Sequence, residues 1–306
     1  MDFVAGILVS LVIAATPLIF AAIGELVVER AGVLNLGVEG MMIIGAIAGF
    51  AGMVDSGSAV VGVVAAMAAG ATLALLFGLV TQVLLANQVV TGLALTLFGL
   101  GVSALFGQRY TTYSLDRFPR IDIPYLSEIP LIGPVIFAQD ALVYLSLFLV
   151  AAIWWALKFT RLGLVLRAVG ENHDAAHALG YPVIWIRLGV IAFGGACAGV
   201  GGAYLSLVQT PIWVESMTAG RGWIALAIVV FAAWRPWRTL LGAYLFGGFT
   251  ILQLHGQAFG VSIPSQYLSM IPYAVTIIVL VVISSESGGS RLSAPNCLGR
   301  NFQKPK

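Results

Sequence analysis

The residues able to do chemistry in this chain are few, and they gather in short polar stretches set between long apolar runs. The most distinctive is Arg167 to Pro182, RAVGENHDAAHALGYP, a polar island holding the ionisable Arg167, Glu171, His173, Asp174 and His177 together with Asn172. Asn172 or Asp174 can cap a helix start, because a short side-chain oxygen accepts an orphan backbone N–H. Ala175 and Ala176 favour helix, Gly180 suits a left-handed C′ position and Pro182 stops continuation. A helix of one or two turns is unstable alone in water, so something must pack on it. Either a partner docks there, or the helix lies on lipid headgroups.

Two further stretches carry polar groups into apolar surroundings. In GELVVERAGVLNLGVEG, residues 24–40, Glu25 and Glu29 are four apart and share a helix face, where they repel; Arg30 is the obvious partner for one of them. Asn35 and Glu39 have the same spacing and enter the next apolar run, and a carboxylate there is costly unless it faces protein or water. They read either as hydrogen-bonding groups on a polar pathway or as an interfacial helix with its acids in water. In TQVLLANQVVTGLALT, residues 81–96, Gln82, Asn87, Gln88, Thr91 and Thr96 are uncharged; Asn87, Thr91 and Thr96 fall near one stripe. Amides and hydroxyls of this kind suit sugar hydroxyls or base edges, and they equally serve as interhelical glue. The run GGACAGVGG at 194–202 is a packing face, with Cys197 a small core residue, and WRPWR at 234–238 is an anchored turn. His255, near the end of a span, reads as structural. No acid–base pair or Cys/His spacing suggests catalysis or a metal site, so neither is assigned.

The elements that position these residues follow from composition. The chain is 60% hydrophobic and 9% charged, where a soluble domain carries roughly 25% charged residues. An all-α, polytopic membrane bundle is expected. With about 20 apolar residues per span, nine spans (eight to ten) are read near 3–23, 33–53, 59–80, 89–107, 140–158, 188–209, 223–234, 239–255 and 266–284. The seventh is short. An outside N-terminus puts 11 of the 15 Lys and Arg on the cytoplasmic side, including those of the loop 158–187, and the C-terminus with them. The loop 108–139 then forms a folded extracytoplasmic rim. A membrane domain at 1–284 is followed by a Ser-, Gly- and Pro-rich tail, 285–306, expected to be disordered. The net charge of +2 is scattered, which gives no nucleic-acid surface.

ERAGVLNLGVEGMM at 29–42, NQVVTGLAL at 87–95, the island at 167–182 and GRGWIALAIVVFAAWRPW at 220–237 together resemble the ribose/branched-chain-amino-acid-type permeases of ABC importers, in particular the branch for nucleosides and simple sugars. The likeness covers roughly 15–284. His173 stands where Pro is expected, Tyr181 where Ile or Val is, and Thr96 where Asn is.

The resemblance implies a permease subunit, in a bacterial cytoplasmic membrane, translocating a nucleoside or ribose-like solute by alternating access. It implies that Arg167, Gly170, Glu171, Asn172, His173, Asp174, Ala175, Ala176 and Gly180 couple to an ATPase subunit, and that Asn35, Glu39, Asn87, Gln88, Thr91 and Thr96 lie on the pathway. Implied partners are that ATPase, a second permease (homo- or heterodimer), an extracytoplasmic binding protein and the bilayer. The sequence contains no GxxxxGK[ST], so ATP binding by a P-loop is not expected of this chain; no cofactor is expected on it, and ATP and Mg are expected on the ATPase. A stand-alone secondary carrier is the alternative, disfavoured by the lack of an intramembrane charge relay. A subunit with no pathway would predict no solute phenotype on deletion.

Overall fold

The computed structural model describes residues 2–116, 118–122, 124, 126, 127, 129, 132–258, 270, 274, 277 and 294–303. The described chain is predominantly helical: α1 (Asp2–Arg30), α2 (Val38–Ser56), α3 (Ala59–Gly78), α4 (Gln88–Gly107), α5 (Ala141–Phe159), α6 (Arg161–Glu171), α7 (His173–Ala178), α8 (Val183–Tyr204), α9 (Arg221–Phe231) and α10 (Pro236–Ala258). π turns at 79–83 and 205–209 extend α3 and α8.

Among the described residues, six helices are long and apolar enough to cross a bilayer: Val4–Arg30, Val38–Ser56, Ala59–Val83, Gln88–Tyr110, Ala141–Phe159 and Val183–Gln209. They coincide with the first six expected spans. The seventh is α9, whose 11 residues reach roughly 16 Å, about half of a hydrocarbon core. α10 occupies the eighth expected segment. Of the ninth, 266–284, only residues 270, 274 and 277 are described, and the side chain of His255 lies outside the described residues.

Helix α8 sits at the centre, packed against α1, α2 and α3. Its glycines make this packing tight. A Cβ on Gly199 would run into the carbonyl oxygen of Ala66 on α3, and one on Gly45 of α2 would run into Gly199 in turn. Backbones that approach this closely gain dispersion contacts that larger side chains would forbid. We expect Gly199→Leu to cost about 3 kcal/mol, the upper part of the range for overpacking, because backbone is the obstacle. The check is the monodisperse fraction after solubilisation. A variant as well behaved as wild type would contradict this packing.

Helices α3, α4 and α5 leave apolar side chains outside the bundle, including Leu97, Phe98, Phe106 and Phe148. Such surface is stable against lipid and costly in water. The rim between α4 and α5 carries a two-stranded antiparallel ribbon, β1 (Arg120–Asp122) with β2 (Ala138–Asp140), in which Arg120 faces Asp140. Asp140 then caps α5 by accepting from Leu142 and Val143 N–H and from the Tyr204 hydroxyl.

The described part of the tail departs from the disordered segment expected over 285–306. Residues 294–303 lie in contact with the bundle, with Cys297 and Phe302 buried. Apolar anchors within a Ser- and Pro-rich composition account for the difference. Residues 285–293 and 304–306 lie outside the described residues.

Candidate functional site

At the end of the bundle where Arg30, Lys158, Arg167, Arg187 and Arg235 gather, polar groups from five parts of the chain meet. Helix α7 is the organiser. Asn172 is its cap, Oδ1 accepting from Ala175 N–H at 2.9 Å. Gly180 ends it at φ 90°, with Tyr181 N–H on Ala176 O and Gly180 N–H on His177 O. That pattern is a Schellman motif, for which glycine is suited because it lacks a Cβ. Ala176 is buried, whereas Ala175 and Asp174 are exposed, so one face of α7 is anchored and the other is free.

The anchor is Arg187 on α8, fully buried. Its Nε donates to Ala31 O at 3.1 Å and its Nη1 to Gln82 Oε1 at 3.2 Å and to Arg300 O at 2.9 Å; Nη2 lies 3.2 Å from His173 Nδ1. A guanidinium only donates, so Nδ1 is the acceptor and the neutral imidazole carries its proton on Nε2. Among the described residues no carboxylate lies within ion-pair distance of Arg187. One side chain thus ties the α1–α2 turn, the α3–α4 connection, α7 and the tail together.

The tail completes the junction as a strap. Cys297 N–H donates to Gly170 O, and Asn296 Nδ2 to Glu171 Oε2 at 2.8 Å. Gly299 N–H donates to Gly32 O. Asn301 donates to Leu85 O and Ala86 O, and its Oδ1 accepts from Gln88 Nε2 at 2.8 Å. Phe302 packs edge-on against His173 and His177, their ring centroids 5.4 and 5.2 Å away.

Around His173 stand Arg187 from α8, Arg300 from the strap and Asp174 from its own helix, with Asp174 Oδ1 3.7 Å from Nε2. Burial first, and then the Arg187 charge, holds its pKa below the ordinary histidine value. The neutral ring makes the bond to Arg187. The stability it contributes is therefore complete above about pH 6.5, the unfolded value, and is lost as pH falls through the lower folded value. We expect amide protection factors at 173–179, corrected for the intrinsic pH dependence of exchange, to fall between pH 7 and 5, and His173→Gln, which retains an acceptor, to flatten that dependence. Equal pH profiles would remove the role assigned to the imidazole.

The other polar residues expected to be important fall into two groups. Asn35 Oδ1 accepts from Gly37 N–H at 2.9 Å, and its own N–H donates to Glu25 Oε1 at 3.2 Å. Gln88 Oε1 accepts from Leu34 N–H at 2.8 Å, and Thr96 Oγ1 donates to Leu36 O at 3.1 Å. These hold the turn between α1 and α2 to α4. Thr91 is buried on α4, and Asn87 is the exposed cap of that helix, accepting from Val90 N–H. Glu39 turns instead to the start of α9. Its Oε1 accepts from the Thr218 hydroxyl at 2.6 Å and Gly220 N–H at 2.8 Å, and its Oε2 from Gly222 N–H at 2.6 Å. Asn35 and Glu39 thus make separate attachments, despite their spacing.

The expected pairing of Arg30 with Glu25 or Glu29 is corrected. Arg30 donates Nε and Nη2 to the carbonyl of Trp234, and Glu29 Oε2 accepts the indole N–H of the same tryptophan at 2.5 Å. Trp234 sits at φ 55°, in the tight turn between α9 and α10, and its contacts on both sides hold that uncommon conformation. Arg167, on α6, donates to Gly163 O within its own helix. The sequence reading treated α6 as loop, although Thr160 caps it by accepting from Gly163 N–H. Arg187 and the strap are not among the residues expected from sequence, and Gln82 is expected there only as one polar group in an apolar stretch; an arginine near the start of an apolar run is the available signal. Among the described residues, no group of three or more His, Cys, Asp or Glu could hold a metal ion.

Comparison with known proteins agrees with this architecture. The chain is 41% identical to the "Putative glucose ABC transporter permease protein TsgC13" of Haloferax volcanii, over 99% of both chains. It is 36% identical to the "Nucleoside ABC transporter permease protein NupC" of Lactococcus lactis, over 98% of this chain and 97% of the other. It is 32% identical to the "Guanosine ABC transporter permease protein NupQ" of Bacillus subtilis, over 95% and 94%. The family described as "Branched-chain amino acid transport system / permease component" matches residues 7–280. This multi-pass helical membrane protein therefore belongs to that family of ABC transporter permeases.

Proposed function

We propose that the chain is the permease subunit of an ATP-driven importer for a nucleoside or ribose-like sugar, acting by alternating access in the cytoplasmic membrane of a bacterium. Relatives named as nucleoside, guanosine and glucose permeases support that solute class. Nine spans with the N-terminus outside and the C-terminus inside best accommodate the 11 to 4 division of Lys and Arg.

The observation carrying the mechanism is the Arg187 junction. A force on the free face of α7 is passed through His173 and Arg187 to the α1–α2 turn and the α3–α4 connection, and Gln88, at the start of α4, is hydrogen-bonded to the first of these. Rigid elements tied at their ends can rock as a unit, which alternating access requires. In this reading Arg167, Gly170, Glu171, Asn172, His173, Asp174, Ala175, Ala176 and Gly180 form the coupling segment. Asn35, Glu39, Asn87, Gln88, Thr91 and Thr96 belong to the pathway segment, where Asn35, Glu39, Gln88 and Thr96 hold the helices that line it. A separate subunit hydrolyses ATP with Mg, a second permease completes the pore, and a binding protein docks on the rim at 108–139.

The test is a tagged pull-down from gently solubilised native membranes, followed by uptake into energised cells. Recovery of a P-loop ATPase, with nucleoside uptake that stops on ATP depletion, is expected. Recovery of the chain alone even after crosslinking, with uptake abolished by an uncoupler, would move the assignment to a secondary carrier.

A further inference from the structure

We propose that the groove between α5 and α10 is a binding site for an anionic membrane phospholipid, with the phosphate in a cationic cup and one acyl chain along the groove. The cup, about 360 Å³, is lined by Arg30, Lys158, Arg167 and Arg235 together with Trp154, Trp234 and Trp237. These cations come from separate elements: the end of α1, the end of α5, α6 and the α9–α10 turn. Charges brought together in this way repel one another unless an anion joins them.

Among the described residues, no acid forms an ion pair with these cations. Glu171 is the acid whose charge reaches Arg30, and its Oε2 is already taken by Asn296. Glu29 faces inward on the Trp234 indole. Lys158, Arg167 and Arg235 are exposed. The Lys158 ammonium rests over the rings of Trp154 and Phe159, 5.3 and 5.0 Å from their centroids, which leaves its N–H groups open to a phosphate. The positive end of α10, which begins at Pro236, adds to the field.

What separates a lipid from free phosphate is the second cavity. An apolar groove of about 530 Å³, lined by Leu147, Val150 and Ala151 of α5 and by Leu240 of α10, shares two of its walls, Trp154 and Trp237, with the cup. Its lining runs from the basic end along both helices into the apolar part of the bundle. One molecule reaching from cup to groove must carry a phosphate beside a hydrocarbon chain. Trp154 and Trp237 stand at the junction of the two cavities, and amphipathic indoles favour such headgroup-level positions. Basic pockets at the ends of membrane helices recognise anionic headgroups through the same chemistry. The inference rests on the membrane-spanning architecture and is independent of the solute transported.

The experiment is native mass spectrometry of the full-length chain, with whatever partners co-purify, after delipidation and addition of phosphatidylglycerol or of phosphatidylcholine with identical chains. We expect phosphatidylglycerol to be retained in preference, by about fivefold for each basic residue engaged. Lys158→Ala with Arg235→Ala, both exposed positions, should bring the two lipids to near parity, with size-exclusion behaviour confirming the fold. Ala151→Trp, which fills the groove, should reduce retention of phosphatidylglycerol while leaving the cations in place. Equal retention of the two lipids by wild type, or a preference unaltered in the double variant, would overturn the proposal. So would glycerophosphate competing as well as the lipid, which would indicate a free phosphate site. A photo-crosslinker at Trp237 that joins a polypeptide in native membranes, and no lipid, would do the same.

Discussion

Arg187→Met should produce a protein that inserts but loses the order of its basic end. The substitution preserves an unbranched apolar stem and removes every donor. Ala31 O, Gln82 Oε1, Arg300 O and His173 Nδ1 then lose a partner together. A buried acceptor left without a donor costs about 1–3 kcal/mol. Water can reach some of these groups once the strap loosens, so a total of about 3–5 kcal/mol is expected, less than the sum of the four. The loss should be localised: faster amide exchange at 82–88, 173–179 and 297–301, with α2 and residues 195–204 of α8 unchanged. Uptake should fall at least about tenfold, equivalent to ~1.4 kcal/mol at the transition state. Arg187→Lys should fall between, because an ammonium has three donors on one point and cannot match the fork of a guanidinium. Wild-type exchange and wild-type uptake in Arg187→Met would eliminate the junction as a transmission element.

The reason this residue was hard to read in sequence is general. Arg187 registers in the sequence as one more positive charge that fixes orientation. Its partners lie 156, 105, 113 and 14 residues away, and two of them are backbone carbonyls, which no residue type announces. The legible parts were those whose physics is local. Six apolar runs became six long helices, and the start and stop of α7 were written in Asn172 and Gly180. Glu25, Glu29 and Arg30 invited a pairing by proximity in sequence, but the turn at Trp234 supplied better-placed partners for Glu29 and Arg30. The docking of 294–303 is not legible in the tail's composition, because composition averages over residues, whereas docking needs only a few anchors. Phe302 between two imidazoles and Asn301 on two free carbonyls suffice.

Glu39 offers the second large effect, by a different physical route. Its carboxylate accepts two backbone N–H groups and one hydroxyl at the start of α9, where the helix leaves N–H groups without intrahelical partners. The negative charge also meets the positive end of the helix dipole. Hydrogen bonds to a charged acceptor contribute about 1.5–3 kcal/mol each, so Glu39→Ala is expected to cost about 3–5 kcal/mol after non-additivity. Glu39→Gln is the sharper experiment. The amide has the same shape, but one of its ends becomes NH₂ and must face a donor, whichever way it is turned. It should therefore behave much more like Ala than like wild type. A near-neutral Gln variant would mean that shape rather than charge and acceptor capacity holds α2 to α9. Gly222→Ala approaches the same contact from the other side, since a Cβ there would come within 2.5 Å of the Glu39 backbone nitrogen and 2.8 Å of its Oε2. The two variants should lower the thermal midpoint in detergent by similar amounts. Combined, they should lower it by clearly less than their sum, because the first change already dismantles what the second disturbs.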